Sequence, residues 1–86
     1  MREYQLSFDS GAGKISVGEE ETVLETPEKT IKFPSRYARS VEIGDSLPLG
    51  KVKVKFVYYD LLATENTVEF AMTESDARGL KQELGK

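Results

Sequence analysis

Residues 51–60 read Lys51-Val52-Lys53-Val54-Lys55-Phe56-Val57-Tyr58-Tyr59-Asp60. Val52, Val54, Phe56 and Tyr58 alternate with Lys51, Lys53, Lys55 and Val57. A period of two places the two sets on opposite faces of a strand. β-Branched and aromatic residues suit that pleated, half-buried surface. The pattern returns in residues 67–73, with Val68, Phe70 and Met72 on one side and Thr67, Glu69, Ala71 and Thr73 on the other. Only Leu61 to Asn66 separates the runs, a length that makes them hairpin partners. Glu69 falls on the lysine side, so a cross-strand Lys–Glu pair is expected there, contributing about 0.2–1 kcal/mol.

A short helix follows, near residues 74–84. Thr73 is the expected N-cap, with Asp76 three residues on in a shortened capping box. Glu74 and Asp76 suit the positive N-terminus; Lys81 and Lys86 suit the other end. Ala77, Leu80 and Leu84 form an i, i+3, i+7 stripe. Gly79 costs the helix about 1 kcal/mol relative to Ala, so packing has to hold it. Gly85 reads as the stop.

Upstream, Tyr4, Leu6 and Phe8 alternate with Gln5 and Ser7 in a first strand. Ser10-Gly11-Ala12-Gly13 reads as a turn. Ile15 and Val17 belong to a second strand ended by Gly18, Glu19-Glu20-Glu21 to a solvated turn, and residues 22–26 to a third strand. Pro27-Glu28-Lys29 turns into a fourth, residues 30–33. Pro34 ends it, having no N–H for a ladder. Residues 40–43 make a fifth strand. Residues 44–50 form a loop whose Leu47 and Leu49 are expected to cover a sheet edge or barrel end. The inward set then contains Leu6, Phe8, Ile15, Val17, Val23, Ile31, Phe33, Val41 and Ile43 from these strands, with Leu80 and Leu84 from the helix.

Seven short strands at regular spacing, followed by one helix, define a mainly β chain. The expected form is an antiparallel, partly open barrel or roll capped by the C-terminal helix. That order resembles the pleckstrin-homology-like superfold across nearly the whole chain. Residues 30–42 are similar to the strand, irregular turn and strand of its small bacterial and archaeal members. The resemblance implies a binding module for phosphoinositide head groups, peptides or other proteins, and fold alone does not choose among them. Lipid-binding members carry several Lys and Arg around the first hairpin loop. Here Ser10 to Lys14 contributes only Lys14, so a lipid head group is not favoured.

At 86 residues the chain is one domain. It buries roughly 60–65% of its unfolded surface, enough for one core and not for a deep cavity. It has no Cys and no His. A disulfide framework, thiolate metal sites and the commonest general base are excluded. No cofactor and no catalytic residue is expected. No apolar run approaches a membrane span, no signal-peptide core is visible, and cytoplasm is the default compartment. Residues 1–43 carry six basic and eight acidic side chains; residues 44–86 carry six and seven. Bulk attraction to nucleic acid is therefore not expected, and any anion site has to be local.

Gly11-Ala12-Gly13-Lys14 suggests a phosphate loop, but Phe8 and Ile15 stand where the motif needs Gly and Ser or Thr. Asp45, Asp60 and Glu65 have no spacing for paired acid–base or calcium chemistry and read as turn residues. Two features remain. Lys51, Lys53 and Lys55 form a one-sided basic stripe about 13 Å long. It is either a lysine-guarded edge strand, a solvated sheet face, or a surface for an anionic partner. Arg36, Tyr37 and Arg39 sit in an irregular turn, a composition enriched in interfaces and phosphate contacts. These six residues are the candidate contact site. Two functions fit them: a non-enzymatic protein-interaction module, or an anion-binding module for a phosphorylated ligand, lipid head group or nucleic acid. Monomer and homodimer both remain open.

Overall fold

A computed structural model of the protein describes residues 2–85. Its strands are β1 (Arg2–Phe8), β2 (Gly11–Val17), β3 (Glu21–Glu25), β4 (Thr30–Pro34), β5 (Ala38–Ser46), β6 (Lys51–Tyr59) and β7 (Glu65–Thr73), followed by α1 (Glu74–Glu83). All seven pair antiparallel in one open sheet of order β4-β3-β2-β1-β7-β6-β5. Inward side chains from every strand, with Ala77 and Leu80 of α1, pack in one core. The mainly β architecture with a C-terminal helix is the one the sequence pattern implies.

The central hairpin follows the alternation. β6 and β7 pair from Lys51↔Thr73 to Tyr59↔Glu65 without a break. Phe33 stacks on Tyr58 at 4.6 Å between ring centroids, and Phe56 packs against both. Val57 departs from expectation: it lies on the lysine face yet is 6% exposed, between Ser40 and Thr67 across the ladder.

Two strand extents and one strand's inward face differ from the sequence reading. Gly11, Ala12 and Gly13 are strand, and the turn is Asp9-Ser10. Gly13 is needed there, because a Cβ would stand 2.2 Å from the Glu25 carbonyl oxygen. β5 extends through residues 44–46, which were expected in a loop, with register shifts at either end of the Ser40–Ile43 segment. In β3 the inward residues are Thr22 and Leu24, not Val23. Leu24 stands opposite Ile15 and Ile31, and directly opposed residues share a face. Thr22 is tolerated inside because its hydroxyl bonds Ser35 Oγ at 2.8 Å, and Ser35 donates on to the Gly18 carbonyl.

The helix closes one end of the roll. Thr73 Oγ1 accepts from the Asp76 N–H at 3.2 Å, as an N-cap should. Gly79 lies against Tyr4, where a Cβ would sit 3.3 Å from the phenol oxygen. Lys81 Nζ donates to the Val41 carbonyl of β5 at 2.8 Å. Gly85 ends the helix at φ +70°. Lys86 lies outside the described residues.

The sheet is narrowest between β1 and β7. Among the described residues their one register pair is Ser7↔Ala71. Beyond it β1 ends at Phe8 and the chain turns at Asp9-Ser10, so the first half of β7 has a ladder partner only in β6.

Candidate functional site

The six candidate residues separate into two groups. Lys51, Lys53, Lys55, Val57 and Tyr59 alternate along the outer face of β6. Arg39 joins them across a β5 register shift, its guanidinium 5.8 Å from the centre of the Tyr59 ring and 4.0 Å from Glu65. Arg36 and Tyr37 lie in the 3-10 turn between β4 and β5, the guanidinium 5.2 Å from its neighbour's ring. Arg36 lines a surface cavity of about 460 Å³ with Val17, Ser35, Glu19, Glu83 and Leu84, near the end of the helix. Tyr37 packs on the core.

β6 is flanked by β7 and β5, so its lysines do not guard an edge. They form a solvated face laced with carboxylates. Lys53 Nζ is 3.9 Å from Glu69, the expected cross-strand partner. Lys55 stands opposite both Glu69 and Glu42. Lys51 Nζ donates to Ser7 Oγ at 3.2 Å. Lys14, the basic residue of the first hairpin, lies 3.5 Å from Glu25 and 3.9 Å from Glu3. Lys14 and Lys53 thus each have a carboxylate beside them that offsets their charge toward an anion.

The features that sequence reasoning missed are apolar. Leu61 and Leu62, at the β6–β7 tip, are 73% and 86% exposed. The tip is held from beneath. Asp60 accepts from the Leu62 and Thr64 N–H groups at 2.9 and 3.0 Å, and from Asn66 Nδ2 at 3.0 Å. These bonds, the one from Thr64 foremost, hold the Asp60 carboxyl below the ordinary carboxylate range. The signal for this tip was two leucines inside a turn bracketed by Asp and Asn. Leu49 is 92% exposed at φ +66°, and Leu47 is also exposed. Leu49 therefore does not cover an edge or a barrel end as expected, whereas Leu47 lines a cavity with Ser7, Phe8, Phe70 and Ala71 beside the β1–β7 opening.

Behind the Leu61-Leu62 tip, at the end of the roll away from the helix, lies a groove of about 410 Å³. Phe8, Ile31, Tyr58 and Val68 form its apolar lining; Asn66 and Thr67 of β7 and the β3–β4 turn form its sides. Burial, and then the Asp60 charge, push the Tyr58 phenol above its usual pKa, so it stays neutral. Among the described residues, no group of three or more Asp or Glu side chains is placed to hold a metal ion. Among the described residues, too, no helix is long and apolar enough to cross a membrane. No protein-family model matches the chain, and no curated protein matches it.

Proposed function

We propose that this chain is a non-enzymatic protein-interaction module of the cytoplasm, built on a small pleckstrin-homology-like roll. One observation carries the reading: a hairpin tip that presents Leu61 and Leu62 to solvent beside a groove with an apolar lining. Leucines kept in water by an ordered turn contribute nothing to folding, whereas apolar side chains beside a groove suit a protein contact. Lys53, Lys55 and Arg39, on the face leading away from the tip, are placed to set association rate and salt dependence as rim charges do. Arg36 and Tyr37 form a separate polar surface near the helix end. The anion-binding alternative is weaker, since Lys14, Arg39 and Lys53 already face carboxylates.

A photo-crosslinking residue at position 62, with one at exposed Glu3 as control, tests the reading in the native cell. A discrete protein adduct from position 62 and none from position 3 is expected. Identical patterns from both positions remove it.

A further inference from the structure

Strand backbone lacks a neighbour in several places, among them the outer strands β4 and β5 and the first half of β7, and these three are treated differently. β4 is short and carries Lys32 and Pro34, both of which discourage edge pairing. β5 has two register shifts, and Lys81 occupies its Val41 carbonyl. The first half of β7 has no such device. Its register with β6 runs unshifted from Glu65 to Thr73, Pro is absent, and pairing with β1 is confined to Ser7↔Ala71. Residues 66–70 therefore offer a straight run of unmatched N–H and C=O groups toward the β1 side. Asn66, Thr67 and Val68 of that run line the 410 Å³ groove, whose apolar residues Phe8, Ile31 and Val68 are only half-buried.

We propose that this edge receives an extended segment of a partner protein as an added strand, apolar at alternate positions and basic between them. The inference rests on the interaction-module reading and names the partner's chemistry. Backbone bonds to β7 supply affinity, and alternate side chains drop onto Phe8, Ile31 and Val68. The charge preference follows from the surround. Asp9 follows Phe8, Glu28 lines the groove and Asp60 holds the tip, against Lys29 alone; Glu65 and Glu69 are already matched by Arg39 and Lys53. A second copy of the chain is a poor occupant: its outer strands β4 and β5 are blunted, and its β7 edge would bring the same acidic surround against this one.

Hydrogen exchange on the free protein comes first. Alternate amides within residues 66–70 should exchange fast while those of residues 53–57 in β6 stay protected. A displayed library of random linear peptides is then selected on the intact chain. Enriched sequences should alternate apolar residues with Lys or Arg, protect the amides of residues 66–70 on binding, and weaken at high salt. Ile31→Glu should weaken a selected peptide by about tenfold or more. The exposed Lys29→Glu variant, which spares the core, should tighten it by about twofold to fivefold at low salt.

Full protection of residues 66–70 in the free chain overturns the proposal. So do selected peptides without the alternation, peptides that protect another surface, or a homodimer that buries β7. A crosslink at position 62 with no such peptide keeps the interaction reading and removes strand addition; loss of both results removes both.

Discussion

The two ends of the roll are built from the same strands and finished differently. At the helix end Tyr4, Met72, Ala77 and Leu80 are all within 2% of full burial, and Lys81 occupies a free carbonyl. At the far end Phe8, Ile31 and Val68 stay half-covered, and two leucines stand in water. In this roll the helix plugs one end only. The unplugged end is where an apolar contact can be made without dismantling the core.

The largest expected effect breaks this contrast if it fails. Leu80→Ala should cost about 2–5 kcal/mol, as a fully buried leucine does. Val68→Ala, at the open end, should cost about 1 kcal/mol. Urea unfolding of both variants compares the ends directly, and equal losses would mean that the far end is packed as tightly as the near one. Thr73→Ala removes the cap on the Asp76 N–H and should cost about 1 kcal/mol, with helix-end amides exchanging faster.

Much of this was legible in the sequence. The β6–β7 hairpin, its inward set, the Thr73 cap and the Gly85 stop follow from periodicity and end signals. The errors have physical causes. A buried Thr22 reads as polar until its bond to Ser35 is known. Gly11 to Gly13 read as a turn because glycine is the turn residue, whereas Gly13 is there to let Glu25 approach. The candidate site was harder. The lysine stripe is visible, but the carboxylates that offset it arrive from β5 and β7 through register. Arg36 and Arg39 are three residues apart, yet a 3-10 turn and a register shift send them to different surfaces. The β7 edge arises because β1 ends one residue past its pair with β7, which no local pattern encodes.

Replacing Lys51, Lys53 and Lys55 together with Gln should change stability by less than about 1 kcal/mol, since exposed pairs contribute little. The same variant should slow association with any partner that approaches across this face, most visibly at low salt. A large loss of stability would turn the face from a solvated surface into part of the scaffold.

The smallest effect is confined to the open end. The folded Asp60 pKa lies below its unfolded value. Its contribution is therefore complete above the ordinary aspartate pKa of about 3.9 and is lost as pH falls through the folded value. Amide exchange at Leu62 and Thr64 should rise in that acid window while the helix end is unaffected. Equal loosening at Thr73 and Asp76 would erase the distinction between the ends.

The seam at Ser7↔Ala71 has a consequence for how the chain is assembled. Residues 2–34 form one meander and residues 38–85 another with its helix, and within each, neighbours in space are neighbours in sequence. Such local hairpins close quickly because little chain entropy is lost in forming them. The pair that joins the meanders ties together positions near opposite ends of the chain. It is expected to close last, together with the contacts that cross between the meanders, Phe33 on Tyr58 and Tyr4 on the helix, so the joint forms only as the shared core does.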